Sequence, residues 1–182
     1  MAKTCIAEKT ARRQEWIENG LLELMLFKKY DEITVTELCA HLQLSRRSFY
    51  RYFNDLEDVL DSLLKHTFQS LVIPVGLPQI EEIRSNFEFW LDHRALFDAL
   101  HNSAMIDKLF EYTLQNTDPL AIEDILAPDD LGMDICQEAS LFATSGSVAL
   151  ALAWYRDGFR KSPAQMAQIA HRLLFHPILK SE

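Results

Sequence analysis

The chain has 182 residues, 48% of them hydrophobic and 25% charged, which supplies a core and excludes bulk disorder. Five glycines, six prolines and no regular alternation of apolar with polar residues argue against strands, so the expected fold class is all-α. A formal charge of −9 argues against loose, sequence-blind attachment to nucleic acid.

The first helix is expected over residues 8–29, where Trp16, Ile17, Leu21, Leu24 and Met25 recur at helical spacing. Gly20 in its middle costs about 1 kcal/mol relative to Ala and so points to a close backbone approach. After Tyr30-Asp31-Glu32, a second helix announces itself with Thr34 and Glu37, the S/T-x-x-E box in which each side chain satisfies an orphan N–H. Ile33 and Leu38 add the hydrophobic staple. A third helix repeats the device, with Ser45 as N-cap, Leu44 before it and Phe49 at the stapling position. A fourth is expected to start near Asn54 or Asp55, with Glu57 completing a capping box from Asn54. Its apolar face of Leu56, Val59, Leu60, Leu63 and Leu64 runs on toward Val72. The segment Ile73-Pro74-Val75-Gly76-Leu77-Pro78 then breaks it. Further helices are expected over about 78–92, 94–101, 104–116 and 131–159, and a last one after Ser162-Pro163, with Ser as cap and Pro at the first helical position.

Charge is unevenly divided along the chain. Residues 1–65 hold 10 Lys+Arg against 11 Asp+Glu, a net of −1, and residues 66–182 hold 8 against 16, a net of −8. Within the first part, residues 38–54 carry three arginines and no acid. DNA responds to the local patch, so an acidic remainder does not exclude it. A short capped helix bearing Arg46, Arg47, Ser48 and Arg51 suits the major groove, where Arg reads guanine edges and Ser, Tyr and Arg hold phosphates. Cys5, Cys39 and Cys136 form no C-x-x-C pair, which fits a reduced, cytoplasmic setting. The longest uncharged run, Ala139–Tyr155, is seventeen residues and contains Ser140, Thr144, Ser145 and Ser147. It reads as a buried or interface helix and not as a membrane span.

With the pieces in this order, the chain resembles the TetR family of bacterial transcriptional regulators. The likeness is densest in Asp31-Glu32-Ile33-Thr34-Val35-Thr36-Glu37-Leu38, in Leu44-Ser45-Arg46-Arg47-Ser48-Phe49-Tyr50-Arg51-Tyr52-Phe53, and in Glu57-Asp58-Val59-Leu60. A looser likeness continues through Ser145-Gly146, Trp154, Gly158-Phe159, Ser162-Pro163 and Met166-Ala167. The resemblance implies a helix-turn-helix head over 1–55 and a helical effector-binding and dimerisation body over 56–182. It also implies a homodimer paired through the last two helices, a near-palindromic double-stranded DNA operator, and a repressor released by a small-molecule effector. Two positions depart from the pattern. Gln43 stands where the turn usually has glycine, so the turn needs a positive φ or another geometry. Leu56 stands where the fourth helix usually starts with a phosphate-binding lysine.

By position in the motif, Arg46, Arg47 and Ser48 are expected to reach base edges, and Thr36, Ser45, Tyr50, Arg51 and Tyr52 to hold phosphates. A solvated helix face is the plain alternative for the arginines, and packing and capping for Tyr52 and Thr36. Trp90, His93, Phe97, His101, Phe110 and Tyr112 in the middle of the chain, with Phe142 in the long helix, are candidates to line a site for a hydrophobic or aromatic effector, against the reading that they are ordinary core. His93/His101 and His171/His176 have poor spacing for a shared metal, so no metal is expected, and no cofactor. No nucleophile elbow, phosphate loop, dinucleotide fingerprint or H-E-x-x-H motif is present, so no enzyme is expected. A second function class stays open: an adaptor of the same fold that binds a protein partner and has lost contact with DNA.

Overall fold

The computed structural model describes residues 2–69, 79–115 and 136–175. Among these there are nine α-helices and no strand. They are α1 (Ala2–Met25), α2 (Val35–His41), α3 (Arg46–Phe49), α4 (Leu56–Gln69), α5 (Gln79–Asp92), α6 (Arg94–Asn102), α7 (Ile106–Gln115), α8 (Cys136–Arg156) and α9 (Pro163–Phe175), with a short 3-10 turn at Tyr30–Glu32. The all-α expectation holds. The long-helix expectation at 131–135 lies outside the described residues.

The chain divides into two compact units, Met1–Ser70 with Ala95–Ile106, and Leu71–Arg94 with Asp107–Glu182. The first unit is therefore larger than the 1–55 head expected from the motif, since it also contains α4 and most of α6.

In the first unit, α1 packs on α2 and α4, and α2 on α3. Ile17, Leu21, Met25, Leu38, Phe49, Phe53, Val59 and Leu60 are buried there. Gly20 explains how α1 and the helix-turn-helix come so close. A Cβ on it would stand 2.6 to 2.9 Å from Leu42 Cδ2, Cδ1 and Cγ, well inside van der Waals contact. Helix spacing alone brings α1's apolar face inward. The missing Cβ lets Leu42, the C-cap of α2, sit against its backbone.

Polar clasps complete the unit. Lys28 Nζ meets both carboxylate oxygens of Glu37, at 2.7 and 3.0 Å. The sequence box had paired Glu37 with the Thr34 backbone. Thr34 does accept from the Glu37 N–H at 3.2 Å, but the Glu37 carboxylate goes to Lys28, a charged donor that offers a stronger bond. Glu18, only 1% exposed, accepts from the Ser62 hydroxyl at 2.6 Å and lies 2.8 Å from His66 Nδ1, tying α1 to α4. The α6 end is bound to the α1–α2 connector by Asn102 Nδ2 donating to Leu26 O at 3.1 Å, and by the Tyr30 N–H donating to Ser103 Oγ at 3.0 Å.

In the second unit, α9 packs along α5 and α8. Phe87, Trp154, Met166, Ala167 and Ala170 form the centre, with Ile80, Ile83, Leu150, Phe159 and Ile169 around them. Phe87 and Phe159 both meet the Trp154 ring edge to face, at 5.6 and 4.7 Å between centroids. The Trp154 indole N–H donates to Lys161 O at 2.9 Å, fixing the α8–α9 turn. Ser162 and Gln165 then exchange the two bonds of a capping box, at 2.8 and 3.3 Å, as the sequence Ser162-Pro163 promised for the start of α9.

Three helices end in the same way. Gln43, Ala104 and Gly158 take φ of 51°, 53° and 70°, and each N–H bonds three residues back while the next N–H bonds five back. This is the Schellman arrangement, whose left-handed residue is usually glycine. Of the two geometries that the sequence left open for this turn, Gln43 thus takes the positive φ.

Candidate nucleic-acid interface

The turn between α2 and α3 sets the interface. The Gln43 N–H bonds to Ala40 O at 3.1 Å and the Leu44 N–H to Cys39 O at 2.7 Å, which closes α2 and swings the chain into α3. Leu44 is buried beneath the turn, so the next residue, Ser45, is delivered to the surface as N-cap with extended backbone. Its Oγ accepts from the Ser48 N–H at 3.1 Å and donates to Ser48 Oγ at 2.9 Å. The Ser45 and Ser48 side chains are therefore committed to one another in building the helix start.

Only Arg46–Phe49 is α-helical, and the string continues as turns through Tyr52. The Tyr52 and Phe53 N–H groups both bond to Phe49 O, at 2.9 and 3.1 Å, which tightens the end of the segment. Phe49 and Phe53 are buried with rings 6.2 Å apart, so they anchor one side. The other side presents two i, i+4 rows, Arg46 with Tyr50 and Arg47 with Arg51, all exposed.

The rows differ in rigidity. Arg46 leans on Tyr50, its Nη2 3.5 Å from the phenol oxygen and its guanidinium 5.9 Å from the ring centroid. The hydrogen bond from Arg46 to Tyr50 raises the guanidinium further above its already high range, so its charge is constant. Tyr50 in turn stands edge-on to the buried Phe49 at 5.3 Å, while remaining 49% exposed. Arg51 lies over the half-buried Tyr52 ring at 5.8 Å. Thr36, the second residue of α2, is exposed. Behind α3, burial pushes the Cys39 thiol up, with Arg46 pulling it partly back, so Cys39 acts as a small core residue.

Of the two starts that the sequence offers for α4, Asp55 is the cap, its Oδ1 accepting from the Asp58 N–H at 2.9 Å. Asp58 Oδ2 accepts from the Asn54 N–H at 3.0 Å, the bond that the sequence box had given to Glu57. Carboxylates in this first turn suit the helix dipole. They also make the position of the half-buried Leu56 an acidic one, with Asp55, Glu57 and Asp58 around it in sequence.

The candidate effector residues are divided between the two units. Phe97 and His101 belong to the first unit, and Trp90, His93, Phe110 and Phe142 to the second. Trp90 and Phe97 are buried, Phe110 and His93 half-buried, and His101 exposed. His93 stacks on Phe89 at 4.2 Å, and its Nδ1 donates to Phe89 O at 2.8 Å, since a carbonyl can only accept. Phe142 is 77% exposed on α8, within the run that the sequence gives as a buried or interface helix. No sequence signal of its own distinguishes it, because the whole run from Ala139 to Tyr155 is uncharged. Among the described residues, no helix is long and apolar enough to cross a membrane.

A capped helix-turn-helix bearing a cationic outward face, followed by an all-helical second unit, places the protein in the class of helix-turn-helix transcriptional regulators. The family model TetR_C_8, a transcriptional regulator C-terminal region, matches residues 80–176. The chain belongs to the TetR family of transcriptional regulators. Among solved structures it is similar to the dihydroxyacetone kinase operon activator DhaS, with 18% identity over 88% of this chain and 93% of that one, at a TM-score of 0.65. It is also similar to the fatty acid degradation regulator FadR from Bacillus halodurans, with 14% identity over 91% and 95% and the same TM-score of 0.65. At these identities the likeness is one of fold. No curated relative matches the chain.

Proposed function

We propose that the protein is a homodimeric, DNA-binding repressor released by a small-molecule effector in the cytoplasm. The observation that carries the DNA-binding reading is the outward face of α3, where Arg46, Arg47, Tyr50 and Arg51 are exposed over a buried Phe49–Phe53 anchor. Arg46 and Arg47 are assigned to base edges, and Tyr50, Arg51, Tyr52 and Thr36 to phosphates. Ser45 and Ser48, whose hydroxyls hold one another, are assigned to building the helix start, which leaves the Ser48 hydroxyl proton to donate outward.

The dimer reading is supported by the outer side of α8. Phe142, Gly146, Ala149 and Ala153 follow i, i+4, i+7, i+11 and are all exposed, Leu141 is exposed beside them, and none carries a charge. A helix apolar on both sides fits burial on both sides, one by its own unit and one by a second copy. Two heads on a two-fold axis would read half-sites about 34–36 Å apart, or a multiple of that. The effector is proposed to be a small apolar or aromatic molecule, in keeping with Trp90 and Phe89 of α5 and His93 just after it, whose rings cluster. It would act by favouring a dimer whose heads no longer match the operator.

The test is sequence preference. A random duplex library of about 30 bp, long enough for two half-sites a helical turn apart, is selected with the wild-type protein. Its best duplex is then compared with a shuffled one by fluorescence anisotropy. Replacing Arg46 and Arg47 with Ala is expected to abolish the preference while the sedimentation behaviour stays that of a dimer. Preference that survives the double substitution sinks the base-reading assignment.

A further inference from the structure

The N-terminal half of α1 carries a second cationic surface on the first unit. Lys9, Arg12 and Arg13 are exposed and stand at i, i+3 and i+4, so they share one side of the helix, with Trp16 at i+7. The Arg13 guanidinium lies 4.2 Å from the centroid of the Trp16 ring, a stack that restrains it. Residues 1–14 hold four Lys+Arg and one Asp+Glu, a net of +3, in a chain whose total is −9. Glu15, exposed three residues beyond Arg12, is the next acid along the helix.

The direction of α1 fixes where this stripe stands. Lys28 pairs with Glu37, Glu23 with His41, and Gly20 abuts Leu42, so α1 runs antiparallel to α2 and passes the end of it at Gly20. Farther toward its N-terminus, α1 continues past the turn from which α3 starts. At about 1.5 Å per residue, Arg13, Arg12 and Lys9 stand roughly 10 to 16 Å beyond Gly20 along the helix. A major groove about 12 Å wide is walled on each side by a phosphate strand, so a second helix of the same unit that extends past the recognition segment comes up to one of those strands. The start of α4, where Asp55, Glu57 and Asp58 surround Leu56 in sequence, offers the backbone no cation.

We propose that Lys9, Arg12 and Arg13 form a second, sequence-independent contact with the DNA phosphate backbone, a reading that rests on the DNA-binding role assigned to α3. Base reading belongs to α3, and much of the salt-dependent affinity belongs to α1.

The triple variant K9A/R12A/R13A tests this. Alanine favours helix at exposed positions, so the fold is expected to be kept and is checked by thermal melting. Affinity is measured from about 50 to 200 mM salt on the selected duplex and on its shuffled counterpart. The slope of log K against log salt is expected to become shallower by roughly 5 on both duplexes, at about 0.9 per phosphate for the six contacts that a dimer loses. The ratio of the two affinities is expected to stay unchanged. Arg46→Ala with Arg47→Ala should collapse that ratio. An unchanged slope in the triple variant overturns the α1 contact, and so does a collapsed ratio, which would make the stripe a base reader. If the wild-type protein prefers no duplex, the α3 reading falls by itself, and the slope on the shuffled duplex still decides the α1 contact.

Discussion

The two units are held together by different chemistry. The first is fastened by polar clasps across its helices: Lys28 on Glu37, Ser62 and His66 on Glu18, Ser103 and Asn102 on the α1–α2 connector. The second closes on an aromatic and aliphatic centre of Phe87, Trp154 and Phe159 with the small residues of α9. Directional clasps fix where a surface helix points, because a hydrogen bond tolerates little misalignment. Apolar packing stabilises more strongly but specifies orientation less sharply. A unit that must aim α3 benefits from the first kind, and a unit that must hold helices together from the second.

The largest test of this contrast is Trp154→Ala. It removes both edge-to-face partners and the bond to Lys161 O, and is expected to cost about 3–5 kcal/mol, read as a lowered denaturant midpoint of the second unit. A loss below about 1 kcal/mol would show that the aromatic centre does not carry that unit. The first unit is sharpened by two substitutions of opposite sign. Gly20→Ala drives a Cβ into Leu42 and is expected to cost about 1–3 kcal/mol. Gln43→Gly relieves a left-handed residue and is expected to gain about 1 kcal/mol. Thermal unfolding of both variants checks the pair, and equal signs would break the account of the turn.

The smallest effect is a pH dependence. The Tyr30 phenol is pushed up to about 12, first by burial and then by the charges of Glu57, Asp55 and Asp61. The folded chain thus holds this proton more tightly than a phenol of ordinary value 10.0, so the contribution is complete below pH 10 and lost as pH climbs toward 12. Tyr30→Phe is expected to flatten the alkaline limb of a stability–pH curve relative to the wild type. An identical limb would mean that the acids of α4 do not act on this residue.

Much of the helix-turn-helix was legible because its signals are local. Thr34 and Ser45 cap as read, Gln43 takes the positive φ that was one of two geometries open to it, and Gly20 marks the close approach its cost suggested. The resemblance reached the family for the same reason, since its densest residues lie in one stretch of about thirty positions. The candidate interface was half legible. The sequence named the arginines of α3. It passed over Lys9, Arg12 and Arg13, although their i, i+3, i+4 spacing was visible, because a basic stripe on a helix looks the same whether or not it faces DNA. The ring of effector candidates was read from composition alone, and the structure distributes it over both units.

The sequence by itself determined where α2, α3 and α9 start, since a cap involves residues only three apart, whereas the first helix, expected over 8–29, stops at Met25. Only the tertiary structure decided which partner each polar group takes. Glu37 prefers Lys28, nine residues away, to its own cap, and Tyr30 finds Ser103 across 73 residues. It also decided that α6 joins the first unit and that Phe142 points outward. Such choices depend on which surfaces meet, and helical periodicity gives each helix an apolar side without naming the side it will face.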